Sequence, residues 1–94
     1  MIEVTQTGSG DPLEFEVAVT EGGTISRHSV TIAAGDYRRL AGGKAPDRLV
    51  EAAFRFLLDR EPKESILRNF DLSLIETYFP EFESKLPDYF GRTG

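Results

Sequence analysis

Residues 13–32, LEFEVAVTEGGTISRHSVTI, constrain the fold more than any other part of the chain. Leu13, Phe15, Val17 and Val19 alternate with Glu14, Glu16, Ala18 and Thr20, the period of two that turns one strand face to a core and the other to water. Gly22-Gly23 follows, and a two-residue hairpin turn needs positive φ at both central positions, which glycine reaches without a Cβ penalty. With those glycines at the centre, Leu13 faces Ile32, Phe15 faces Val30, Val17 faces His28 and Val19 faces Ser26. Glu14/Thr31 and Glu16/Ser29 pair on the other side. A slip of one residue would carry Val30 and Ile32 to the polar face, so turn chemistry and hydrophobic pattern predict one register.

Upstream, Ile2, Val4 and Gln6 alternate in a further strand over about 1–7, and TGSGDP connects it to the hairpin strands at about 13–20 and 24–33. From Gly35 the pattern becomes helical. Asp36 is expected to cap a short turn, DYRRLA, that stops at Gly42-Gly43, and Pro46 suits the first position of a longer helix over about 46–60. On that helix Arg48, Glu51, Arg55 and Asp59 form one narrow polar stripe, so most of its circumference is expected to be packed. After Glu61-Pro62, short helices are expected at about 63–69, 72–79 and 80–86, with Asp71 as a cap and Pro87 as a terminator. The expected architecture is a single α+β domain over 1–94, an antiparallel β-hairpin or three-stranded meander packed against the long helix, with residues 91–94 as a disordered tail.

Composition excludes several functions. The chain has no cysteine, which rules out disulfides and thiolate metal sites, and no basic-apolar leader at its start, so the cytoplasm is the expected location. The longest apolar stretch, AAFRFLL at 52–58, is broken by Arg55 and falls short of the roughly 20 residues that cross a bilayer. A net charge of -5 opposes the phosphate contacts on which nucleic-acid affinity rests. Residues 1–35 carry five acids and one base, and the middle segment 36–62, with five acids and six bases, is only weakly basic.

No catalytic set emerges. GGKAP at 42–46 is not a phosphate-binding loop: Gly35 precedes Gly43 by eight positions and Ala45 offers no hydroxyl to magnesium. TGSGDP leads into a strand rather than a helix, so no helix dipole reinforces its amides. His28, the one histidine, falls on the apolar face as a structural residue, and Glu14 and Glu16 project about 7 Å apart from the solvated face. A small-molecule-binding protein or enzyme using His28 with Glu14/Glu16 is the alternative reading; no cofactor or metal is expected.

Six of the ten aromatic residues lie between 70 and 90. Tyr78, Phe79, Phe82, Tyr89 and Phe90 are the candidate interaction surface for another protein or a second copy of the chain, because aromatic clusters rimmed by charge are typical of interfaces. SILRNFDLSLIETYF also aligns to a helix-turn-helix, but the second helix would present Glu76, Glu81 and Glu83 to phosphates and offers no base-reading side chain between Leu72 and Ser84. The run LLDREPKESILRNFDLSLIETYFPEFE, 57–83, resembles a segment of short uncharacterised bacterial proteins in which a REPKESIL-like run precedes an FDLS-I--YFPE-like run. That resemblance implies a bacterial cytosolic origin and no activity, cofactor or site.

Overall fold

The computed structural model describes residues 1–91; the expected tail at 91–94 lies, but for Gly91, outside them. Strands β1 (Ile2–Gly8), β2 (Leu13–Glu21) and β3 (Thr24–Ile32) are followed by helices α1 (Ala34–Leu40) and α2 (Pro46–Leu58). A 3-10 turn at Lys63–Ser65 leads into a three-residue strand, β4 (Asn69–Asp71), and then helices α3 (Ser73–Tyr78) and α4 (Phe82–Phe90). The fold is α+β, with a mixed four-stranded sheet in the order β1-β2-β3-β4. Its radius of gyration, 12.1 Å, is that of a compact chain of this length.

The hairpin register is the one that the glycine turn and the alternation predict: Leu13 faces Ile32, Phe15 Val30, Val17 His28 and Val19 Ser26. Gly22 and Gly23 have φ of 60° and 80°, the left-handed region that the tight turn demands. β1 runs antiparallel to β2, with an irregularity between Gln6 and Gly8.

Three expectations are corrected. Residues 63–69 do not form a helix: after one 3-10 turn the chain extends and pairs with β3 in parallel, Ser29 opposite Asn69 and Thr31 opposite Asp71. The sheet therefore has four strands, not two or three. Asp36 does not cap α1, which begins two residues earlier at Ala34; Asp11 from the β1–β2 connector accepts the Ala34 N–H at 2.9 Å. Pro87 does not end the last helix but lies inside α4, on its exposed side with Glu83, Ser84 and Asp88.

The core is one cluster. Phe15, Val17, Val19, Val30 and Ile32 of the sheet are buried together with Leu49, Val50, Ala52, Ala53, Phe54, Phe56 and Leu57 of α2. Phe56 is the hub of its C-terminal half: its ring lies 5.0 Å from Phe82, 5.6 Å from Tyr89 and 5.7 Å from Phe79, all edge-on, the geometry in which ring quadrupoles attract. Arg60 lays its guanidinium 3.6 Å over the same ring and donates to the Tyr89 hydroxyl, which in turn donates to Asp59. α4 is thus fixed to the end of α2 by Tyr89, which explains why the helix runs through Pro87. Arg39 of α1 receives Asp36, Glu76 of α3 and Glu83 of α4, a network that ties three helices; the Glu76 and Asp36 carboxylates hold its guanidinium above its ordinary pKa.

Candidate interaction groove

The segment between α2 and α3 is built by backbone pinning. α2 ends at Leu58, Pro62 opens the 3-10 turn, and Ile66 adopts an extended conformation that sends successive side chains to opposite sides. Ile66 goes inward and is buried. Leu67 turns outward and is 49% exposed. Its carbonyl is held from the inside: His28 Nδ1 lies 2.7 Å from it, and since a carbonyl only accepts, Nδ1 carries the proton. His28 Nε2 then accepts from the Ser26 hydroxyl at 2.8 Å. The imidazole, 2% exposed and 5.3 Å from the Phe54 ring, has both nitrogens occupied.

Next along the chain, the Ser29 N–H donates to the Arg68 carbonyl and the Leu72 N–H to the Thr31 carbonyl, closing β4 onto β3. Asp71 secures the step into α3. One carboxylate oxygen accepts from the Thr31 hydroxyl at 2.6 Å, and the other from both the Ser73 N–H and the Ser73 hydroxyl, so Asp71 supplies the first turn of α3 with a partner as its sequence position suggests. Burial pushes the Asp71 carboxyl up, but the hydrogen bonds from Ser73 and Thr31 outweigh it and hold the group below its ordinary value of 3.8. With a depressed folded-state pKa, Asp71 contributes stability that is present above its unfolded pKa and is lost as pH falls through the folded value. Thermal melts from pH 6 to pH 2 are therefore expected to show a smaller acid-induced loss of stability in Asp71→Asn than in the wild type. Equal losses would mean that these hydrogen bonds do not favour the ionised form.

Pinned in this way, the segment leaves an apolar groove of about 390 Å³ between the end of α2, the 66–70 strand region and α3. Leu57, Ile66, Phe70, Leu74, Ile75 and Phe79 supply its apolar lining. Leu67 and Tyr78 stand at its mouth, and Glu61 and Ser65 supply its polar lining. Tyr78 is 66% exposed, more than any other large hydrophobic side chain among the described residues except Met1. Along α3 Ile75 is buried, Leu74 half-buried and Tyr78 exposed, so the helix runs from the base of the groove to its mouth.

The five aromatic candidates therefore divide. Tyr78 and Phe79 line the groove. Phe82 and Tyr89 are buried against Phe56, and Phe90 is half-buried beside Leu40 and Pro87, away from the groove. The structure adds Leu67, Phe70 and Leu74 to the lining, Leu67 and Phe70 from extended chain and β4 rather than from the helix expected over 63–69. A three-residue parallel strand has no periodicity of its own, and its pairing partner lies 40 residues upstream, so no local signal could have found it.

His28, Glu14 and Glu16 are not brought together. His28 faces the core, while both glutamates are exposed on the opposite face of the sheet, where Glu16 accepts from the Ser29 hydroxyl at 2.6 Å. Among the described residues no three His, Asp or Glu side chains cluster so as to hold a metal ion, and no helix is long and apolar enough to cross a membrane. The first helix of the helix-turn-helix alignment, ILRNF, is extended chain leading into β4. No protein-family model, curated protein or solved structure matches the chain.

Proposed function

We propose that the protein is a non-enzymatic interaction module, working in the bacterial cytoplasm, whose docking surface is the groove between the end of α2, residues 66–70 and α3. The observation that carries this reading is the pair of large apolar side chains, Leu67 and Tyr78, held in water at the mouth of an apolar groove although the same segment buries its alternate residues. A groove of this size is at the small end of ligand sites and suits a few side chains of a partner. In this reading the hairpin resting on the long helix is a scaffold, and His28 and Asp71 are the fixings that hold the groove open.

Charge favours a basic partner over a second copy at this surface. Residues 57–79, the stretch that lines the groove, hold five acids and three bases, a net negative segment. Glu61, in the groove itself, has no ion-pair partner among the described residues. Like-charged copies facing one another here would repel, whereas Lys or Arg flanking an apolar anchor would be steered toward it.

A photo-crosslinking residue placed in the source cell at position 67 or 78 is expected to give the same discrete adduct. At Ile25, an exposed apolar position outside the groove, it is expected to give none. Identical adducts from all three positions, or none from 67 and 78, would refute the groove as the docking surface.

A further inference from the structure

β1 is an edge strand, and its hydrogen-bond phase determines which of its backbone groups are unpaired. The Met1 amino group donates to the Thr20 carbonyl at 2.7 Å and the Thr20 N–H to the Met1 carbonyl at 2.8 Å, so Met1 and Thr20 form a mutually bonded pair. In an antiparallel ladder such pairs alternate with non-bonded ones. With Glu3 opposite Ala18 and Thr5 opposite Glu16, the next bonded pairs fall at residues 3 and 5. The N–H and C=O groups of Ile2, Val4 and Gln6 therefore point away from the sheet. No hydrogen bond reaches them from another element among the described residues. This edge is seven residues long, contains no proline, and carries one charged side chain, Glu3, so it lacks most of the devices that keep sheet edges apart.

We infer that β1 pairs antiparallel with β1 of a second copy of this chain, across a two-fold axis at Val4, and joins the two sheets edge to edge. The register follows from the bonding phase and the one charge, and a second copy is the occupant because in that register the strand complements itself, all its outward groups bonded and no like charges opposed. Only even-numbered residues can bond outward, so the possible registers place Val4 opposite Ile2, opposite Val4 or opposite Gln6. Val4 opposite Val4 engages all three outward residues of each strand, whereas each alternative engages two. Placing Val4 opposite Ile2 also sets Glu3 directly against Glu3, a like-charge pair that destabilises a ladder. The two-fold at Val4 instead sets each Glu3 against the Thr5 of the other copy. Val4 then lies opposite Val4 and Ile2 opposite Gln6 of the second copy, and Ile2 and Val4, both only half-buried in one copy, sit on the core side of a continuous sheet. This surface is separate from the groove, and neither proposal depends on the other.

In this register the solvent-face row reads Glu16, Thr5, then Glu3 of the second copy. A cation at position 5 would lie between two carboxylates, and an anion would add a third. Sedimentation equilibrium of the full chain tests this, with circular dichroism to confirm the fold of each variant. The wild type is expected to show a weak, concentration-dependent monomer–dimer equilibrium. Thr5→Lys is expected to tighten it and Thr5→Glu to weaken it, each by about two- to thirtyfold, since two cross-strand pairs change per dimer. Should either variant disturb the fold, Glu3→Lys removes the acid from the same row and is expected to tighten the dimer. A chain that stays monomeric at every concentration overturns the inference. So does weakening by Thr5→Lys, the sign of Thr5 facing Thr5, or equal affinities in all variants, the sign of an interface elsewhere.

Discussion

Phe56→Ala is expected to destabilise the protein by about 3–5 kcal/mol and to lower the melting temperature by roughly 12–40 °C, the range for emptying an aromatic site in a chain of this size. The side chain is fully buried, and its ring is the common neighbour of Phe79, Phe82 and Tyr89 and the seat of the Arg60 guanidinium. Truncation therefore removes the transfer free energy of one ring together with three edge-on contacts and a cation–π contact. Because total stability for a small domain is about 5–15 kcal/mol, the variant would sit near the unfolding threshold at room temperature. Phe56→Leu, which keeps most of the volume, is expected to lose less than about half as much. Chemical denaturation of the two variants checks this. Similar small losses in both would show that α3 and α4 are not held through this ring.

The second large effect is expected at His28, where Ala should cost about 2–4 kcal/mol. Truncation opens a cavity against Phe54 and takes away the donor to the Leu67 carbonyl and the acceptor for the Ser26 hydroxyl. The damage should be directional. Hydrogen exchange at the amides of Ser29 and Leu72, which bond across to the Arg68 and Thr31 carbonyls, is expected to accelerate more than exchange at amides within the β2–β3 ladder. Asn at position 28 can donate from a place close to Nδ1 and is expected to restore part of the protection, whereas Leu fills the volume but leaves the carbonyl without a donor. Uniform acceleration over the whole sheet in His28→Ala would contradict a local fixing role.

Legibility in the sequence followed the range of the forces involved. The hairpin was readable to the residue, because period-two alternation and Gly22-Gly23 specify the same pairing and both act within 20 positions. α2 was readable from Pro46 at its first position and from its narrow polar stripe, with its end misplaced by two residues. What stayed hidden was imposed from a distance. β4 exists because Thr31, Ser29 and His28 bond to residues 67–72, and nothing within KESILRNF competes with its local helical pattern until those partners arrive. Pro87 carries a strong local stop signal, overridden by burial of Leu86 and Tyr89 and by the Tyr89 bonds to Asp59 and Arg60. For the candidate surface, composition singled out residues 70–90 but could not separate Tyr78, in water, from Phe82, four residues on and fully buried. That difference rests on Phe82 packing edge-on against Phe56, a contact made across distant parts of the chain.

The most direct test of the groove as a docking surface is the affinity of the crosslinked partner for purified variants, measured by titration calorimetry. Leu67→Glu and Tyr78→Glu each place a charge at the mouth of the groove and, being exposed, should leave the melting temperature within a few degrees of the wild type. Each is expected to weaken binding by at least about tenfold, with affinity falling further as salt rises, while Ile25→Glu binds as the wild type does. Full affinity in both groove variants, or equal loss in Ile25→Glu, would contradict the assignment.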